Sequence, residues 1–213
     1  MKLSKNRKFM KNKVFFYLSI GFSLALISCA SNKIAPSNQV FENDKEFISN
    51  TTASELIIGK KYSKETLSTK SNHVFVSYSA TTVPLNVYKL NLEKSTTYKL
   101  ILKSIPEGLG GWVKDEKRTV MIPEITLYDE NFNIIKNENI EKKAVAPTAF
   151  EPFLFRIITE WNISETGSYY LVVKADMSSN KGIELNLYNA YNSWLFKFRR
   201  VLYGKYKLVV SKK

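Results

Sequence analysis

The sequence predicts an all-β fold, a single antiparallel β-sandwich or jelly-roll-like domain over residues 51–213. Three observations predict it. From His73 onward, apolar and aromatic residues recur at every second position in short runs, the period of half-buried strands. The runs are separated by clusters of Gly, Asn, Asp, Ser and Thr that punctuate the chain as turns. Helical periodicity is confined to one stretch, Tyr191–Tyr203. Eight or so short strands in series pack as two antiparallel sheets. The span is long enough for one real core and not clearly for two.

Taken in order, Leu56-Ile57-Ile58-Gly59 is a first short strand or turn. Val74, Val76 and Tyr78 alternate with Phe75 and Ser77. Tyr88, Leu90 and Leu92 form the next run, and Tyr98, Leu100 and Leu102 another, with Glu93–Thr96 as the turn between them. Pro106–Lys117 carries Gly108, Gly110 and Gly111 and reads as a loop bearing Trp112. Val120–Tyr128 reads as a strand in which Pro123 marks an edge or a bulge, since proline donates no ladder hydrogen bond. Asp129-Glu130-Asn131 turns the chain into Ile134-Ile135. After a polar excursion, Phe153, Phe155 and Ile157 resume the alternation. Ser164–Gly167 is a turn, with Gly167 expected to free its backbone. Tyr169, Leu171 and Val173, then Ile183, Leu185 and Leu187, then Tyr206, Leu208 and Val210 complete the series.

The domain is preceded by an address. Lys2, Lys5, Arg7, Lys8, Lys11 and Lys13 lie ahead of an apolar run, Val14–Ile27, that ends at Leu26-Ile27-Ser28-Cys29. A basic n-region, a short h-region and a small residue before the cut are the pattern of a secretory signal. The run is shorter than the roughly 20 residues that span a bilayer, so a lone membrane helix is the weaker reading. The four residues ending in Cys29 resemble a bacterial lipobox. That resemblance implies a signal peptide over residues 1–28, a cut before Cys29 and a lipid on its thiol. Two or more acyl chains anchor a protein stably where one does not. An incidental cysteine in a signal peptide cut elsewhere is the alternative. Residues 29–50 are polar, with few apolar side chains, and read as a flexible tether. Ala30 and Ser31, rather than an aspartate, follow the cysteine, which favours an outer-membrane location facing the periplasm.

The net charge of +13 sits at the two ends. Six of the 32 basic residues lie in the leader, and Lys197, Arg199, Arg200, Lys205, Lys207, Lys212 and Lys213 crowd the last stretch. The 19 acids are balanced by as many cations in the body between. About half of that excess charge leaves with the leader, and an exported chain is a poor nucleic-acid binder. Within Tyr191–Tyr203, a helix would place Trp194, Leu195, Phe198, Val201 and Leu202 on one arc, off which Lys197 and Arg200 lie. Trp194, Lys197, Arg199 and Arg200 are therefore candidate membrane-surface residues. The other reading is an amphipathic segment covering one end of the sandwich.

No catalytic constellation is legible. His73 is the only histidine, so no Ser/His/Asp or Cys/His set exists without it, and Gly-x-Ser-x-Gly is absent. Neither a metal site nor a cofactor is expected. Asp129-x-Asn131-x-Asn133 spaces oxygens as some calcium loops do. It lacks the glycine and the twelfth-position glutamate of an EF-hand, and a hairpin turn explains it. Asp115-Glu116 and Asp129-Glu130 are adjacent carboxylates that a strand points to opposite faces. Trp112, Trp161 and Trp194 either pack or stack on sugar rings. Trp112, in a glycine-rich loop, is the candidate glycan-binding residue.

Thr119–Phe132, with its apolar pair, proline and strand ending in Asp and an Asn-containing turn, resembles the hallmark of the maltose-operon periplasmic protein family. Tyr169–Asp176 resembles that family's later strand and polar loop. Asn189-Ala190-Tyr191, followed by Gly204–Val210, resembles its final segment. The likeness covers roughly residues 73–210. Leu127-Tyr128-Asp129-Glu130-Asn131 and Gly167-Ser168-Tyr169-Tyr170 also resemble pre-peptidase C-terminal β-sandwich modules. These resemblances imply a sandwich and a non-catalytic envelope lipoprotein accessory to carbohydrate uptake. The implied partners are the membrane through Cys29 and a maltodextrin-type ligand or a porin- or transporter-like protein. An envelope-structural or membrane-surface lipoprotein without a sugar ligand is the alternative.

Overall fold

Successive residues of a strand face opposite ways, so the alternation read above decides which side chains meet. The computed structural model describes residues 40–76, 81–108, 118–145, 154–178, 183–188 and 193–213. Their elements begin with β1 (Val40–Phe41), α1 (Asp44–Asn50), β2 (Ser54–Glu55), β3 (Tyr62–Leu67), β4 (Asn72–Val76), β5 (Thr81–Leu92), β6 (Thr96–Ile105) and β7 (Thr119–Val120). They continue with β8 (Pro123–Tyr128), β9 (Ile134–Ile135), β10 (Asn139–Val145), β11 (Leu154–Ile163), β12 (Gly167–Ala175), β13 (Ile183–Tyr188), β14 (Ser193–Arg200) and β15 (Gly204–Lys212).

Among the described residues these strands form three sheets. One has the order β1-β4-β5-β12-β8-β9, with β2 also on β5; a second runs β10-β11-β6-β15-β3; a small third runs β13-β14-β7. The long pairings β5–β12, β12–β8, β6–β11 and β6–β15 are all antiparallel. The first two sheets face each other. Tyr88, Leu90, Leu92, Leu127, Tyr169, Leu171 and Val173 of one meet Leu67, Tyr98, Leu100, Leu102, Trp161, Tyr206, Leu208 and Val210 of the other in one buried cluster. The all-β, sandwich-like class read from the alternation is the class observed.

The turn reading also holds at Asp129. Its Oδ1 accepts from the backbone N–H groups of Asn131 and Asn133 at 2.9 and 2.8 Å, and its Oδ2 accepts from Asn133 Nδ2 at 3.0 Å. Partial burial alone would raise this carboxyl; the bonds from Asn133 and Asn131 outweigh that and hold it below its ordinary value. Its oxygens serve the hairpin between β8 and β9. Pro123 is the first residue of β8, where a missing N–H is tolerated.

Four expectations need correction. The span 29–50 is not all tether, because residues 40–50 fold into the domain. Phe41, Phe47 and Ile48 are buried against Val74, Val83, Leu85, Val87 and Val172 on the outer face of the first sheet. That face is therefore covered, and the middle of β5 is buried on both sides. Asn43 caps α1 by accepting from Glu46 N–H at 2.9 Å, while Glu46 Oε2 accepts from Glu42 N–H at 2.7 Å. Asn followed three residues later by Glu is the helix-start signature.

Second, the stretch expected to be helical within 191–203 is strand β14 over Ser193–Arg200. It pairs antiparallel with β13 and parallel with β7. Its aromatic and branched residues satisfy period two once β13 supplies a partner, and tertiary pairing overrides the weaker helical pattern. Third, the expected strand Val120–Tyr128 is two, β7 and β8, in different sheets. Fourth, Gly167 opens β12 with no left-handed backbone, and the nearest atom to an added Cβ is Glu130 Oε2 at 3.8 Å. The glycine that sterics do require is Gly204: a Cβ there would stand 2.8 Å from Met121 Cβ. Among the described residues, positive φ occurs at Gly59 (81°) and Gly108 (78°) and, without a glycine, at Ser95 (58°) and Phe132 (60°).

Candidate functional site

A pocket of about 340 Å³ opens beside β3 and β5, next to the segment that leads from α1 into β2. Such a volume is at the small end of ligand sites. Phe47, Leu85 and Val87 supply apolar lining. Thr51, Thr52, Ser54, Ser71 and Asn72 supply hydroxyls and a carboxamide, and Glu65, Asn86 and Tyr88 complete the wall.

A chain of hydrogen bonds runs along that wall. Asn86 Nδ2 donates to Tyr206 Oη at 2.7 Å and to the Thr66 carbonyl at 3.1 Å. Tyr88 Oη donates to Glu65 Oε2 at 2.7 Å. The two phenol oxygens are 2.6 Å apart, and the single proton of Tyr88 is committed to Glu65, so Tyr206 donates to Tyr88. Burial, reinforced by Tyr206, pushes the Tyr88 phenol far above its ordinary range, and burial raises Tyr206 as well. Both hydroxyls therefore stay protonated in neutral solution, and the direction of the chain is fixed. The β5 strand positions this wall: Asn86 and Tyr88 share the parity of Leu90 and Leu92, and Tyr206 enters from β15 across the sandwich.

The chemistry on offer is hydroxyls, carboxamides and one carboxylate over an apolar floor. Such a set suits a small neutral polyhydroxylated molecule, or one carrying a positive charge, and disfavours an anion because of Glu65. Among the described residues, no group of three or more His, Cys, Asp or Glu could hold a metal ion.

The residues singled out from sequence lie elsewhere. Cys29 and Trp112, and the pair Asp115-Glu116, are outside the described residues. Trp161 is buried in the sandwich core, at 1% exposure, and is a packing residue. Trp194 lies on β14 opposite Leu187. The cations after it alternate in the manner of a strand. Lys197 and Arg199 are exposed, Phe198 between them is buried, and Arg200 turns inward with its Nε and Nη1 buried. The helical arc that would have gathered these residues does not form.

The basic end is also less free than its spelling. Lys197 is 3.2 Å from Glu184, Lys212 is 2.7 Å from Glu93 and Lys213 is 2.9 Å from Glu160. His73 sits in β4, partly buried, its ring edge-on to Tyr203 at 6.4 Å.

The pocket itself was partly readable. A carboxamide at Asn86, on the core parity of a strand, is the anomaly that marks a buried polar wall. Glu65 and Tyr206 carry no such mark, because their meeting depends on sheet order. The fold and this wall define a class, a sandwich-like all-β domain with a polar pocket beside β3 and β5. No protein-family model matches the sequence, and no curated protein matches it. Among the described residues, no helix is long and apolar enough to cross a membrane.

Proposed function

We propose that this chain is a non-catalytic cell-envelope lipoprotein, anchored through Cys29, whose domain binds a small neutral carbohydrate as an accessory of its uptake. The observation that carries the binding part is the 340 Å³ pocket whose lining residues Asn86, Tyr88 and Glu65 are tied into one hydrogen-bond chain through the fully buried Tyr206. Sugars present hydroxyls that both donate and accept; Glu65 and Asn86 Oδ1 supply acceptors, the donors of the wall being used within it, and Thr52, Ser54 and Ser71 bring hydroxyls that can donate. The pocket has room for one or two sugar units, with the rest of a maltodextrin-type chain leaving through its open side. Handover to a porin- or transporter-like partner is the step that an accessory of this kind serves. The outer membrane, periplasmic side, is the location proposed for it.

The ligand is tested by calorimetric titration of the protein with maltodextrins and a panel of neutral oligosaccharides. Saturable binding is expected, and Glu65→Gln is expected to weaken it by about tenfold or more, the range for a hydrogen bond to a charged group. Tyr88→Phe tests the same wall while conserving the ring. Absence of heat for every neutral sugar at millimolar concentration ends the carbohydrate reading. Trp112→Ala, run in the same series, reports whether that ring stacks on the sugar.

Anchoring has a separate test. Cys29→Ser is expected to abolish incorporation of labelled fatty acid and to leave unprocessed precursor in cells. Label entering the variant overturns the lipobox reading and leaves the pocket untouched.

A further inference from the structure

The outward face of the second sheet carries a feature that the sequence disperses. Lys143 of β10 stands directly opposite Arg156 of β11, Arg156 opposite Lys103 of β6, and Lys103 opposite Lys207 of β15. Four cations thus form one rung across four adjacent strands, about 14 Å from end to end at the usual strand spacing. Like charges directly opposite one another destabilise a sheet. Glu141 relieves part of this, at 2.5 Å from Lys143 and 4.0 Å from Arg156, and Lys103 has a partner of its own.

The next outward rung is apolar at its centre: Ile158, Ile101 and Val209 stand opposite one another, all partly exposed. A soluble polyanion has a use for the cations and none for the apolar rung. A lipid surface uses both, with headgroup phosphates against the cations and the acyl boundary against the apolar side chains.

We propose that this face, built from β10, β11, β6 and β15, is a docking surface for an anionic phospholipid bilayer. The inference is independent of the sugar pocket, which is lined from β3, β5 and the segment after α1. It also relocates the membrane contact expected at Trp194–Arg200. Only Lys207 of the basic end belongs to the rung, and its neighbours there come from far earlier in the chain.

The test uses the chain from residue 30 onward, without the basic and apolar leader and without Cys29, carrying one new thiol, Val209→Cys, labelled with an environment-sensitive dye. Vesicles of equal parts phosphatidylglycerol and phosphatidylcholine are expected to shift its emission to the blue. Salt near 1 M, where the Debye length is about 3 Å, is expected to reverse the shift. Lys103→Gln with Lys207→Gln is expected to weaken the response by about fivefold per charge, and Lys103→Arg with Lys207→Arg to preserve it. A dye at Asn91→Cys, an exposed position of β5 in the other sheet, is expected to stay water-like.

An equal shift in pure phosphatidylcholine, an equal shift at both dye positions, or no shift at all overturns the proposal. So does a glutamine pair that binds as well as the parent. A shift with soluble polyphosphate but not with vesicles assigns the face to soluble polyanions and overturns the membrane reading.

Discussion

Trp161→Ala is expected to destabilise the domain by about 4 kcal/mol, the range for deleting a fully buried indole. In a domain of this size that is a fall of roughly 10 °C in Tm. Trp161 is 1% exposed and lies opposite Tyr98, itself fully buried, on the antiparallel pair β11–β6. It belongs to the cluster in which both large sheets meet, so few atoms can move in to fill the space it leaves. Its indole Nε1 is buried without an acceptor. Trp161→Phe is therefore expected to lose markedly less than Trp161→Ala, because it removes an unsatisfied donor along with the volume. Denaturant midpoints of the three proteins check this. Equal midpoints for parent and alanine variant would show that the two sheets do not meet around this ring. The same burial makes Trp161 a stability reporter, so any fluorescence quenching by sugar must come from another tryptophan.

The second large effect is at α1. Asp44 is buried, its Oδ2 2.8 Å from Lys174 Nζ and 3.0 Å from Tyr128 Oη. These two partners lie on β12 and β8, so the carboxylate ties the helix to two strands of the first sheet. Asp44→Ala is expected to cost about 3 kcal/mol, because it leaves a mostly buried ammonium without its nearest carboxylate. Asp44→Ala combined with Lys174→Met is expected to lose less than the sum of the two single changes, by at least about 1 kcal/mol. Strict additivity would show that the pair does not hold the helix.

Glu124, 3.8 Å from Lys174, adds a pH signature. Burial raises its carboxyl above the ordinary value, and Lys174 works against that rise. Below the unfolded pKa the group is protonated in both states and imposes no penalty. As pH rises through the interval up to the folded pKa, ionisation is harder in the folded state, and stability falls. Lys174→Met removes the opposing charge, so its stability is expected to fall more steeply than the parent's over that interval. Chemical denaturation of both proteins across acid pH measures the difference.

The sequence by itself determined the class of fold. Period-two alternation at Tyr88–Leu92, Tyr98–Leu102 and Tyr169–Val173 is a local property, and it names the inward face of each strand before any pairing is known. The turn at Asp129 was equally legible, because an aspartate that accepts from residues two and four ahead needs nothing beyond its own loop. What only the tertiary structure decided is which faces meet. The outer face of the first sheet looked free to water until Phe41, Phe47 and Ile48 arrived from a segment too polar on average to suggest a helix with an apolar side. The strand over Ser193–Arg200 needed β13 and β7 as partners, and a short aromatic run is compatible with either helix or strand until one exists. The pocket wall joins Glu65, Asn86, Tyr88 and Tyr206, and the cationic rung joins Lys103, Lys143, Arg156 and Lys207. Each set is scattered over a hundred residues or more of chain and assembled by strand order and register alone. Charge and hydrogen-bonding capacity are written residue by residue, whereas their coincidence in space is a property of the sheets.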